Sequence, residues 1–193
     1  NTHGKALKPA GYTFDYSSNS RSGSVKMGFN DAGISNLSVM PPSPAPEEGK
    51  VPVRQHHLKE VLDPLSAVMA LARAPGDDPC NRKIPIFDGK QRFDLHLSFR
   101  RQERIAEAQP SGQPGIGYVC RVRYVPVAGH KQSEETRQMS ENSNIEIALR
   151  PVPSANLLVP YRITVPTMAG SAVLTSQRID IVTQSQGQIA LIQ

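Results

Sequence analysis

No run of apolar residues in the 193-residue chain approaches the roughly 18 that a membrane-crossing helix requires, so a helical span within it is excluded. Tryptophan is absent, and Phe and Tyr together supply only 5% of the chain. Long helical periods are scarce as well. Of the two cysteines, Cys80 and Cys120, neither has a near neighbour of its kind. That excludes both zinc-ligand spacing and a C-x-x-C redox pair. The histidines, His3, His56, His57, His96 and His130, never fall at H-x-H or H-x-x-x-H spacing. On a strand, the adjacent His56 and His57 would point to opposite faces. No metal site is expected, and loop histidines at the surface are the plain alternative. A G-x-S-x-G elbow is also missing. The chain opens on polar NTHGKALKPAG, which is no secretory signal. Two readings stay open there: a cytosolic protein, or an exported one whose signal has been removed.

What the chain does have is proline, 17 residues of it, in a composition that suits many short strands joined by Pro/Gly turns. Its formal charge is +5, spread along the sequence rather than clustered. A dispersed excess of this size speaks for solubility before nucleic acid or membrane binding. At this length one domain, 1–193, is expected, with room for a real core.

One helix stands out. Asp63 can accept hydrogen bonds from the free N–H groups of a first turn, and Pro64 suits the first helical position. Leu65, Val68, Met69 and Leu71 recur at helical spacing, and Pro75-Gly76 stops the run. The spacing predicts a helix from Pro64 to Ala74 whose apolar face covers a sheet. After Cys80 the period becomes two. Ile84 and Ile86, a tight Asp88-Gly89 turn, then Phe93, Leu95, Leu97 and Phe99 predict a hairpin. Pro85 marks its first strand as an edge or a bulge. Asp94 is expected at an exposed position on the second strand, which is extended towards Ile105.

Elsewhere, Tyr12, Phe14 and Tyr16 alternate onto one face, as do Val25, Met27 and Phe29. A turn at Asn30-Asp31-Ala32-Gly33 leads to a third strand through Ile34, Leu37 and Val39. Residues 41–52 form a Pro-rich loop. YVCRVRYVPV alternates around Cys120, residues 132–143 suit a short surface helix, and Ile145, Ile147 and Leu149 define another strand. Leu157 to Met168 and Ala172 to Val182 predict a hairpin turning near Ala169-Gly170. The apolar Ile189 to Ile192 is either a last short strand or a frayed end. The fold class is therefore mainly β: a curved antiparallel sheet or incomplete β-barrel of about eight or more strands around one central helix. Cys80 and Cys120 are either a disulfide or two buried thiols. A disulfide across that separation would add about 4 kcal/mol in the chain-entropy treatment.

From Val51 onward the chain resembles the bacterial family known as domain of unknown function 3108, in its rhizobial, alphaproteobacterial form. The likeness lies in Val51-Pro52, Asp63-Pro64-Leu65-Ser66-Ala67, Cys80 with the following IPIFDGKQRFDLHLSF, Cys120-Arg121-Val122-Arg123-Tyr124 and Pro126 to His130. Val159 to Ile163 fits less sharply. The resemblance implies an exported, periplasmic envelope protein whose signal peptide has been removed, with a Cys80–Cys120 disulfide. It also implies further strands preceding the start of this chain. The architecture looks similar to periplasmic lipoprotein carriers that hold acyl chains under a helical lid, a likeness of fold alone.

Other candidates have simpler explanations. Ser66 with Asp63 suggests a nucleophile, but a hydroxyl in a first helical turn commonly serves the backbone. Asp88 with Asp94 suggests a carboxylate pair, but Asp88 is a turn residue. Gly112, Gly115 and Gly117 imitate a phosphate loop but lead into a strand. Arg100, Arg101, Arg104, Arg121 and Arg123 would make a basic face if their strands pair, with a solvated face as the alternative. No enzyme is expected, no cofactor, no nucleic acid and no transmembrane segment. Two function classes remain. In one, a non-enzymatic envelope protein binds an acyl chain or a lipoprotein-like hydrophobic ligand beside Leu65, Val68, Met69 and Leu71. In the other, a structural or protein-interaction module of the envelope has a filled core and an exposed edge strand.

Overall fold

The computed structural model describes residues 7–42, 49–73, 78–108, 114–167, 170–183 and 187–192. Among them eleven strands and two α-helices form. The chain divides into two compact units that are interleaved in sequence. Unit 1 takes Asn1–Ala70, Lys83–Leu95 and Tyr124–Glu141, and unit 2 takes Leu71–Arg82, His96–Arg123 and Asn142–Gln193.

Unit 1 contains an antiparallel three-stranded sheet of β1 (Gly11–Ser17), β2 (Ser22–Asn30) and β3 (Gly33–Met40). The period-two pattern of β2 buries Val25 and Met27, which join Ile34, Val61 and Phe87 in one core with Tyr12, Phe29, Val39 and Leu58 against it. On β1 the expected aromatic row is present: Tyr12, Phe14 and Tyr16 stack in sequence, with ring centroids 6.5 and 6.0 Å apart. The β2–β3 turn is the expected one, fastened by the Ala32 N–H to Asn30 Oδ1 at 2.9 Å.

The predicted helix is α1 (Pro64–Ala72); its expected end at Ala74 and the Pro75-Gly76 stop lie outside the described residues. Asp63 caps it as expected, Oδ1 accepting the N–H groups of Leu65 and Ser66 at 3.0 Å. The middle of the Pro-rich loop, residues 43–48, is likewise outside, as is His3.

A six-stranded antiparallel sheet runs in chain order: β4 (Arg82–Phe87), β5 (Arg92–Ala108), β6 (Pro114–Ala128), β7 (Ile145–Val152), β8 (Leu157–Thr167) and β9 (Gly170–Thr175). It has two ends, β4 and β9, and does not close into a barrel. The edge position signalled by Pro85 is realised. Leu62 lies along β4 instead of a further strand, its N–H donating to Pro85 O and its carbonyl accepting from Phe87 N–H, both at 2.9 Å. The surface helix appears as α2 (Glu134–Glu141).

Four expectations need correcting. The β4–β5 connection is a four-residue turn, Asp88 to Gln91, rather than a tight Asp-Gly one. Asp88 Oδ1 accepts the N–H groups of Lys90 and Gln91, and only Gly89 takes a positive φ, of 102°. Asp94 is not exposed: it is 5% accessible, because Arg92 two residues earlier on the same face shares its burial. The Pro, Gly and Gln content of Ala106 to Gly115 predicts a loop, but residues 106–108 and 114–115 belong to β5 and β6, so that only residues 109–113 between the strands lie outside the described set. Ala172 to Val182 is not one strand. The chain leaves the large sheet after Thr175, and β10 (Arg178–Thr183) pairs instead with β11 (Gly187–Ile192). Among the described residues of unit 2, Ile105, Val119, Ala148 and Tyr161 form one small core, and Val152 and Val159 another with Ala155, Ile179 and Ile181 against it.

Candidate functional site

Three places in the chain concentrate chemistry. The first is a cavity of about 470 Å³ in unit 1. Its apolar wall comes from Pro9, Phe29, Val61, Leu62, Ala70 and Pro85. The N-cap connection, helix α1, the end of β2 and the edge strand β4 therefore all contribute. The close approach that shapes it depends on Gly33, where φ is 127° and a Cβ would lie 2.2 Å from Leu58 O. Lys8, Asp31 and Glu60 supply the polar rim. Lys8 Nζ sits 2.6 Å from Asp31 Oδ1, and that hydrogen bond holds the Asp31 carboxyl below its ordinary range. Among the described lining residues none is Ser, Thr, Cys or His; the wall offers apolar contact and a charged margin.

The helix residues singled out beforehand are separated. Leu71 is buried together with Ala67, whereas Leu65, Val68 and Met69 are 64, 52 and 59% exposed. α1 is apolar on all sides, so its sequence does not choose the buried face. Positions 67 and 71 turn inward, and 65, 68 and 69 form an exposed stripe. It is Ala70, between the two faces, that reaches the cavity.

The second place is a buried polar cluster in unit 1. Asp94 pairs with Arg92 and, at 2.9 Å, with Lys83. Burial alone would raise the Asp94 pKa, but hydrogen bonds from Lys83 and Arg92 outweigh it and hold the carboxyl below its usual range. His130 is 4% exposed, not the surface histidine expected. Its Nε2 lies 3.0 Å from Arg92 O and its Nδ1 lies 2.9 Å from the Tyr124 hydroxyl. One tautomer satisfies both contacts: Nε2–H donates to the carbonyl and Nδ1 accepts from the phenol. Tyr124 stays a donor, since burial and then the charge of Asp88 push its pKa up to about 12. The Phe93 ring packs 5.2 Å from that of Tyr124. The contacts of Asp94, His130 and Tyr124 tie together the β5 and β6 segments of unit 1. The alternation of Arg92 and Asp94 on one strand face was the signal for this cluster.

His56 and His57 lie in a short 3-10 turn, Gln55–Leu58, with rings 4.0 Å apart, and His57 Nδ1 accepts the Arg54 N–H at 3.0 Å. Ser66 lies in the first turn of α1, where its backbone N–H donates to Asp63 Oδ1. Asp88 is a turn residue. Gly115 and Gly117 lie within β6, and Gly112 is outside the described residues.

The third place is unit 2. Cys80 and Cys120 form a disulfide with a Cα–Cα distance of 5.3 Å, both side chains wholly buried. Asp78 Oδ1 fastens the approach to it by accepting the N–H groups of Cys80 and Asn81. Nearby in sequence, the arginines of β5 and β6 do not make a bare basic face. Arg100 and Arg101 both pair with Glu146 on β7, and Arg162 on β8 pairs with Glu103 on β5. Tyr161 donates its hydroxyl to Glu103. Burial and this bond raise the Tyr161 pKa, so the phenol remains a donor. Arg121 and Arg123 are exposed, and Arg104 takes no part in these bonds. Glu103 also lies 3.5 Å from Arg101 on its own strand, but the partners Arg162 of Glu103 and Arg100 and Arg101 of Glu146 come from other strands, which alternation along one strand does not reveal.

No helix of the described residues is long and apolar enough to cross a membrane, and no three His, Cys, Asp or Glu side chains among them gather as metal ligands. No curated protein and no solved structure matches the chain. A family model described as Protein of unknown function (DUF3108) matches residues 2–177, nearly the whole length, and the chain belongs to that family.

Proposed function

We propose that this is a non-enzymatic, exported protein of an alphaproteobacterial periplasm that binds an acyl chain or a similar hydrophobic ligand. The observation that carries the reading is the cavity beside Ala70: about 470 Å³, apolar on its walls and charged at its margin. That size lies within the roughly 300–1,000 Å³ of small-molecule sites, and an apolar wall with a charged rim suits an amphiphile. A buried Cys80–Cys120 disulfide supports an oxidising compartment.

Native mass spectrometry of protein purified without reductant tests the reading. Co-purified or added long-chain fatty acid is expected to remain on the wild-type chain and to be lost from Ala70→Trp, which fills the cavity. Retention by Ala70→Trp together with loss from Leu65→Ser/Met69→Ser would move the ligand to the exposed stripe of α1. A chain that takes up no fatty acid would sink the proposal.

The second reading is a structural or interaction module, and one observation favours it. All six residues of the edge strand β9 are exposed, with Val173 54% and Leu174 64% accessible. Such an edge suits strand addition by an envelope protein partner.

A further inference from the structure

Unit 2 carries ten arginines, no lysine and six Asp or Glu, while all eight lysines of the chain fall in unit 1. Half of those arginines collect on one part of the large sheet. The strand register places Arg121 opposite Glu146, Glu146 opposite Thr164, and Thr164 opposite Val173, so these four share one face across β6, β7, β8 and β9. Arg162, two residues before Thr164, shares the face by alternation, and so does Arg123, two residues after Arg121. Arg100 and Arg101 reach the same patch through Glu146.

Five arginines therefore share this part of the sheet with two carboxylates, Glu103 and Glu146. The carboxylates are already engaged: Glu146 takes Arg100 and Arg101, and Glu103 takes Arg162 and Tyr161. They fix three of the arginines without cancelling the patch. Arg121 and Arg123 are exposed, and among the described residues no carboxylate pairs with them. Guanidinium is the side chain best shaped to grip phosphate oxygens through two parallel N–H donors, and it is weakly hydrated. Val173, 54% exposed, adds an apolar contact to the same row. A strand face with free arginines, a rigid ionic frame and an exposed valine offers contact to a broad anionic surface.

We propose that this face docks unit 2 on a lipid surface bearing phosphate headgroups, with Arg121 and Arg123 as the primary contacts. The proposal is independent of what the unit 1 cavity holds. Near an anionic surface each such arginine contributes about fivefold in affinity, so the pair contributes roughly 25-fold, and the gain shrinks as salt rises.

The test is co-sedimentation of the full chain with vesicles of phosphatidylcholine alone and with phosphatidylglycerol added. The wild type is expected to bind the phosphatidylglycerol vesicles selectively. Arg121→Gln/Arg123→Gln is expected to lose roughly 25-fold while keeping its thermal midpoint. Arg21→Gln/Lys26→Gln, which removes equal charge from exposed positions of unit 1, is expected to bind as the wild type does. Equal binding to both vesicles, or equal losses in the two double variants, would overturn the proposal. So would binding of soluble polyphosphate with no binding to vesicles, which would make the face a polyanion site instead.

Discussion

Arg101 grips Glu146 with two parallel hydrogen bonds, both 3.0 Å long, running from β5 to β7. The hydrogen bond from Arg101 holds the Glu146 carboxyl below its ordinary pKa of 4.5. Glu103 is also held low: burial would raise it, but Arg162 and Tyr161 outweigh burial. A carboxylate whose folded pKa is depressed contributes stability that is complete above the unfolded value and lost as pH falls through the folded one. The thermal midpoint is therefore expected to stay level from pH 7 to about 5 and to fall below about 4.5. Glu103→Gln/Glu146→Gln should lower the plateau and flatten the acid limb. Melting curves across pH settle it: an acid limb of unchanged depth in that variant would assign the effect to other carboxylates.

Asp63 caps α1 from a buried position. Its Oδ1 accepts two N–H groups at the start of α1. Asp63→Ala is expected to cost about 1–2 kcal/mol, and Asp63→Asn, which keeps the accepting oxygen, markedly less. Urea unfolding monitored by circular dichroism reads the difference. Equal losses in both variants would mean that something other than the accepting oxygen matters at this position.

The Cys80–Cys120 bond spans 40 residues of sequence. Cys80→Ser/Cys120→Ser, or the wild type with reductant, should lose about 2–5 kcal/mol. The comparison is made by denaturant titration with and without dithiothreitol. Coincident curves would remove the bond from any account of stability.

The Arg92–Asp94 pair is nearly enclosed, with side chains 12 and 7% exposed. Asp94→Ala leaves the Arg92 guanidinium buried without its carboxylate and should cost about 3–5 kcal/mol. Arg92→Met/Asp94→Leu, which removes both charges, should recover most of that. Lys83, on the exposed side of Asp94, should matter by less than about 1 kcal/mol. A full double-mutant cycle measures these terms. A double variant as unstable as Asp94→Ala would refute the desolvation argument.

Local order was easy to read because it is local. Period-two alternation located β2, β6 and β7, and the pairing of Asp63 with Pro64 located the start of α1. Gly33 and Gly89 marked turns that the backbone does make, with φ of 127° and 102°. What escaped were choices made by partners far away in sequence. α1 is apolar on every side, so its buried face is set by what packs on it. Asp94 and His130 read as surface residues until Arg92 supplies a charge to one and a carbonyl to the other. The cavity draws on separate segments around Phe29, Val61, Ala70 and Pro85, and no single one of them announces it.

Leu62 on the outer side of β4 has a consequence for assembly. Its two hydrogen bonds occupy the backbone groups of Pro85 and Phe87, where a foreign strand would otherwise pair. β9, the opposite end of the strand order, has no such cover among the described residues. A sheet that can be joined at one end only cannot propagate head to tail. If copies of this chain meet through it, β9 must meet β9, and that two-fold contact consumes both free ends at once. Growth through this sheet then stops at a pair.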